Sequence, residues 1–235
     1  MNAQALHTYA RLSGFLYLAV MASFIAPYVI TSGIVVSGDF ALSAEKVAAS
    51  ETLYRLALTI QLLGCAAIVL LSGALHALLR TVSPFFALVA LAWRLGEALL
   101  LSFVVALRFA ALGNYLQAAD GAGATDHESM HLVLSSGAGA ASYAAFAFLA
   151  LGSIAYFHLL YRSRFIPRVL SGFGILACLA MLALVGAYLV FPAHASSIGL
   201  TGMAPMFFAE VAIGLWMLIK GANLRHWRPV AEAQP

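Results

Sequence analysis

The chain has 235 residues, of which 63% are hydrophobic and only 9% are Asp, Glu, Lys or Arg. Soluble domains carry about 25% charged and roughly 45–50% apolar residues, so a soluble surface cannot be built from this composition. The scarcity of charge excludes a disordered chain as well. Two Cys, and 19 Gly without a G-x-y period, exclude a disulfide scaffold or a collagen-like chain.

What remains is an all-α polytopic membrane protein. A helix needs ~20 mostly apolar residues to cross ~30 Å of hydrocarbon. Six stretches qualify, at about 13–36, 54–79, 84–112, 131–160, 168–191 and 202–221. None shows the ~10-residue alternation of a membrane barrel. The apolar run of span 1 is too long for the h-region of a signal peptide and no A-x-A site follows it, so it is expected to stay in the chain.

Span 1 carries Tyr17 and Tyr28 on one side. The loop 37–53 holds Asp39, Glu45 and Glu51, with Lys46 its one basic residue. Span 2 places Gln61, Cys65 and Ser72 on one face and ends at His76 and Arg80. Span 3 contains Arg94, Glu97 and Arg108. The second long loop, 113–130, is expected to be a flexible connection through Gly121, Gly123 and Thr125. Span 4 lines up Ser135, Ser142 and Ser153, and ends at His158 and Arg162. Span 5 follows Arg164 and Arg168, and holds Cys178. Span 6 holds Glu210 and is followed by Lys220, Arg225 and Arg228.

The basic clusters Arg11, Arg80, Arg162–Arg168 and Lys220–Arg228 all fall on one side if both termini are cytoplasmic. The opposite loops are acidic, with Asp120, Asp126 and Glu128 in the second. The expected architecture is therefore a six-transmembrane-helix bundle in a bacterial inner membrane, N-in and C-in, forming a single domain over 1–235. The net charge of +3 suits anionic lipid headgroups, and nucleic acid is not needed to explain it. Membrane lipids are the expected partners. Oligomeric state is not legible.

Five segments carry a resemblance. They are Ala10-Arg-Leu-Ser-Gly-Phe-Leu-Tyr-Leu18, Glu51-Thr-Leu-Tyr-Arg-Leu56, Trp93-Arg-Leu-Gly-Glu-Ala98, Tyr161-Arg-Ser-Arg-Phe-Ile-Pro-Arg168 and Glu210-Val-Ala-Ile-Gly-Leu-Trp-Met-Leu-Ile-Lys-Gly221. Together they resemble a bacterial multi-pass membrane family, domain of unknown function four-three-eight-six, from about residue 9 to 227. The resemblance implies the six-helix topology and brings no activity and no catalytic residues. The segment His127–His131 departs from the family pattern.

Three ionisable residues lie deep in spans: Arg94, Glu97 and Glu210. A charge at the bilayer centre costs ~2.5–3.5 kcal/mol or more, so such residues pair or line a polar cavity. Glu97 lies ~20 Å from the cytoplasmic end of span 3, and Glu210 ~15 Å from the same side, so neighbouring spans would bring them to similar depth. Arg94 and Glu97 are i, i+3 on one helix and can meet. Arg108 shares their face about three turns on. One guanidinium cannot pair fully with two carboxylates, so one acid, with Glu210 the candidate, is expected to be neutral. The set Arg94, Glu97, Glu210, Gln61 and Arg108 suits the polar end of a lipophilic small molecule, or a proton site of a carrier. A salt bridge that only locks helices explains it as well.

Two histidine patterns point to metals. His127-Glu-Ser-Met-His131 matches H-E-x-x-H, in which two His bind zinc and Glu128 activates water, with His194 a third ligand on the same side. Such a site would make the protein a zinc-dependent membrane hydrolase. Against it, Thr125-x-x-Glu128 reads as a capping box, and a helix N-terminus disfavours a cation. His76 and His158 sit at matching depth on spans 2 and 4, the spacing of a bis-histidine haem site, or of two imidazoles beside headgroups. Trp227 and Tyr161 read as interfacial anchors.

Overall fold

The computed structural model describes residues 2–121, 124–191 and 204–224. Among them are seven helices and no strand: α1 (Ala3–Ser32), α2 (Phe40–Ala49), α3 (Glu51–Leu79), α4 (Pro84–Ala119), α5 (Ala124–Ser163), α6 (Arg168–Val190) and α7 (Ala204–Lys220). Five of them, α1, α3, α4, α5 and α6, are long and apolar enough to cross a membrane. α7 covers 17 described residues, or ~25 Å. Residues 202 and 203 of the sixth expected span, and with them His194, Arg225, Trp227 and Arg228, lie outside the described residues.

The surface explains why water is the wrong solvent. Val169 is 82% exposed and Leu99 73%, and Phe85, Val133 and Leu189 are exposed alongside them. Charged and polar residues of the same chain are buried, which inverts the soluble pattern. The protein is thus an all-helical, multi-pass membrane protein.

Both long loops are shorter than expected. In the first, α2 forms because Asp39 caps it, its Oδ1 accepting from the Leu42 N–H at 2.9 Å. Ser43 and Val47, four apart, are buried on one face. In the second, α4 continues to Ala119 and α5 begins at Ala124, so most of 113–130 is helical. Thr125 therefore stands inside the first turn of α5, not at a cap before it. Its carbonyl accepts from the Ser129 hydroxyl. α1 also starts earlier than expected, since Leu6 and Ala10 are buried one turn apart. It ends earlier too, at Ser32 rather than 36.

The chain divides into two compact units. One is drawn from Met1–Met21, Ala67–Ala98 and Ala144–Pro235, the other from Ala22–Ala66 and Leu99–Tyr143. In the first unit, α1 and α7 cross with almost no space between backbones. A Cβ on Gly14 would collide with the backbone N of Leu218 and the carbonyl of Gly214. Only small residues permit that approach, as is usual where lipid gives helices no hydrophobic reason to associate. Around this crossing lie the buried Tyr17, Ile213 and Met217, with Leu71, Leu75, Tyr156 and Phe157 also in the core of the unit. Cys178, buried and free, contacts Met206 Sδ at 3.4 Å. In the second unit an aromatic cluster forms where Phe40 stacks on Tyr115 at 5.3 Å, with Tyr54 edge-on to Tyr115. Cys65 is buried there, its thiol donating to the Gln61 carbonyl at 3.4 Å.

Candidate functional site

The first unit brings together the three deep charges. Arg94 and Glu97, one turn apart on α4, place Nη1 and Oε2 3.0 Å apart. Glu210, from α7, puts Oε1 3.8 Å from the same Nη1. The guanidinium also donates to Ser153 Oγ of α5 at 3.3 Å. Arg94 is 2% exposed, Glu97 3% and Glu210 2%. Gly152 on α5 makes room for the arginine stem: a Cβ there would stand 2.9 Å from Arg94 Cγ and 3.1 Å from Cδ.

The pairing is incomplete. Glu97 Oε2, Glu210 Oε1 and Arg94 Nε are buried and make no hydrogen bond among the described residues. The Glu97 contact is at hydrogen-bond distance without hydrogen-bond geometry, and the Glu210 contact, at 3.8 Å, is beyond hydrogen-bond reach. Buried polar atoms are ordinarily satisfied, and each exception needs an explanation. One cation faces two carboxylates, so the cluster has spare acceptor capacity at its centre. A proton, or a donor group from a bound molecule, completes it chemically.

Tyr17 and Tyr156 are buried close enough to Arg94 to interact with its charge. The Tyr156 hydroxyl is committed elsewhere, donating to the Ser72 carbonyl at 2.9 Å. Tyr156 follows Ser153 by three residues, and that spacing on one helix face was the signal by which it could have been found. Gly152 gives no such signal, because its role is the space it leaves. Tyr28, expected beside Tyr17, is exposed. Of the three aligned serines only Ser153 reaches the cluster; Ser135 is exposed and bonds its own helix, and Ser142 does the same. Trp93 packs edge-on against Phe148 at 4.9 Å.

Gln61 and Arg108, expected in the same site, form a pair of their own in the second unit. Arg108 Nη1 donates to Gln61 Oε1 at 2.9 Å. That unit also holds the histidines of the H-E-x-x-H segment. Each ring has a partner on α4: His127 Nδ1 lies 3.2 Å from Asn114 Oδ1, and His131 Nε2 lies 3.1 Å from the Tyr115 hydroxyl. His131 also packs on the Tyr115 and Phe40 rings. Glu128 is exposed. Among the described residues no three His, Cys, Asp or Glu come together as metal ligands. His194 lies outside those residues. In the first unit His76 is half-buried, its Nδ1 without a hydrogen bond. His158 is exposed, its ring 6.3 Å from that of Phe86.

A family model matches residues 12–221. The chain belongs to the family described as Domain of unknown function (DUF4386). The match takes in Arg94, Glu97, Ser153 and Glu210 alike. The family description assigns no activity. No curated protein and no solved structure matches the chain.

Proposed function

We propose that this protein is a six-span protein of the bacterial inner membrane, one integral domain with both termini cytoplasmic, that holds a lipophilic small molecule by its polar end at Arg94, Glu97 and Glu210. The topology is supported by the distribution of basic residues among the short loops. The observation that carries the site is the group of buried, unbonded atoms Arg94 Nε, Glu97 Oε2 and Glu210 Oε1 around one guanidinium. Their excess is in acceptors, so the polar end that completes them is a hydrogen-bond donor, a hydroxyl or an amine.

Native mass spectrometry of gently solubilised protein tests this reading. The wild type is expected to retain a small lipophilic molecule that both Glu97→Gln and Glu210→Gln release while still folded. If the two variants keep the same bound molecules as the wild type, the site is not there.

The charge count favours a second reading, in which the surplus carboxylate carries a proton and the protein is a proton-coupled carrier. Proteoliposome flux that ignores the pH gradient would exclude it. For the zinc hydrolase no geometry speaks, since among the described residues no three His, Cys, Asp or Glu come together.

A further inference from the structure

A different set of residues in the first unit forms a basic cleft. It is open, measures about 350 Å³, and is lined by Arg164, Ile166, Pro167, Arg168, Trp216 and Asn223. Its walls come from the short turn between α5 and α6 and from the end of α7. The Asn223 N–H donates to the Phe165 carbonyl at 2.8 Å and ties the two walls together.

Two exposed arginines line this cleft. Arg164 adopts φ +57°, a left-handed conformation that non-glycine residues avoid. The chain keeps an arginine at a position that glycine would fill without strain. Arg168 is the first residue of α6, and its guanidinium sits 5.1 Å above the Tyr161 ring. Pro167 precedes it and provides no side-chain cap, so the positive end of the α6 dipole faces the turn uncapped. Among the described residues, neither guanidinium has a carboxylate within ion-pair distance. Trp216, half-buried, adds an apolar aromatic wall beside these charges.

We propose that this cleft is a binding site for a phosphate-bearing anion, supplied either by the headgroup of an anionic phospholipid or by a free phosphate. Two guanidiniums and a helix N-terminus give charge and donors suited to phosphate oxygens. The volume is in the range of small-molecule sites, which run from about 300 to 1,000 Å³. The Trp216 wall suits the glycerol end of a lipid, as aromatic side chains do at membrane interfaces.

The test uses the full chain in nanodiscs of zwitterionic phosphatidylcholine, doped with either phosphatidylglycerol or uncharged diacylglycerol. Lipid carried through native mass spectrometry is the readout. Phosphatidylglycerol is expected to be retained and diacylglycerol not. Arg164→Gly and Arg168→Gln are each expected to weaken retention about fivefold, the equivalent of the ~1 kcal/mol that a basic residue gains at an anionic surface. Arg164→Gly relieves the backbone, so its melting temperature is expected to equal or exceed that of the wild type, which separates lost binding from lost fold. A second arm titrates inorganic phosphate onto the protein in uncharged detergent. Saturable binding that both variants lose, without selective retention of phosphatidylglycerol, assigns the site to free phosphate. Equal retention by wild type and both variants, together with no phosphate binding, overturns the proposal.

Discussion

Replacing Arg94 by Met removes the one cation from a pocket that keeps two carboxylates. Breaking a buried pair by deleting one partner costs about 3–5 kcal/mol, because an uncompensated charge is left behind. Here Nη1 serves oxygens at 3.0 and 3.8 Å, and both carboxylates are at most 3% exposed, so the upper part of that range is expected. Methionine is close to the arginine stem in length, so the packing change beside Gly152 contributes less than about 1.5 kcal/mol. The measurement is the unfolding free energy in mixed micelles, followed by circular dichroism as denaturing detergent is titrated. An Arg94→Met variant within about 0.5 kcal/mol of wild type, the range of an inconsequential surface change, would refute the reasoning. The triple variant Arg94→Met, Glu97→Gln, Glu210→Gln carries no charge in the pocket, and neutral replacements of whole buried ion pairs are often tolerated. It is expected to recover most of the loss. A triple variant that is as stable as wild type but releases the bound molecule assigns the cluster to binding and not to scaffolding.

Other perturbations test the packing and the second unit. Gly14→Ala forces a methyl against the α7 backbone and is expected to cost ~1–3 kcal/mol, whereas Gly73→Ala, which meets nothing within 4 Å, is expected to stabilise by about 0.5–1 kcal/mol. A paired comparison by the same unfolding titration checks both signs. Gln61→Leu removes the acceptor of a charged hydrogen bond from Arg108, and a loss of about 1.5–3 kcal/mol is expected in the same assay. Tyr115→Phe deletes the hydroxyl that meets His131 Nε2, and is expected to cost about 0.5–1.5 kcal/mol. Because no three His, Cys, Asp or Glu come together among the described residues, added zinc is expected to leave the melting temperature unchanged. A rise that His131→Ala abolishes would restore the metal reading.

The membrane class and the five long apolar helices were legible because hydrophobic length is a property of the sequence alone. Helix ends were less legible. Span estimates stop where apolar residues stop, but a helix stops where its hydrogen bonding and capping stop. Asn114 and Tyr115 read as loop residues by polarity, yet they remain helical and give α5 its histidine contacts. α2 was hidden for a similar reason, since a ten-residue helix with Asp39 as cap looks like any acidic loop. For the charged cluster, helical rise put Glu97 and Glu210 within reach of one another and i, i+3 spacing paired Arg94 with Glu97, and both carboxylates lie against the Arg94 guanidinium. Periodicity could not assign Arg108 and Gln61 to another unit, because a shared helix face says nothing of which neighbour covers it.

The same geometry bears on whether the cluster merely locks helices. A bridge kept only for packing gains most when every donor and acceptor is aligned, since desolvation of the charges otherwise exceeds the attraction. Among the described residues the guanidinium donates to a serine at 3.3 Å, while Glu97 Oε2 at 3.0 Å lacks hydrogen-bond geometry and Glu210 Oε1 at 3.8 Å is out of hydrogen-bond reach. Each unsatisfied buried group costs about 1–3 kcal/mol, a sum that a helix-locking role would be expected to remove by replacing the set with apolar residues. A second carboxylate beside the first adds to that cost and gains only a 3.8 Å contact with the same guanidinium. If a donor group binds at the site, as proposed, it offsets that cost, so the surplus acid, rather than the arginine, is the residue whose conservative amide variant reads most directly on the proposal.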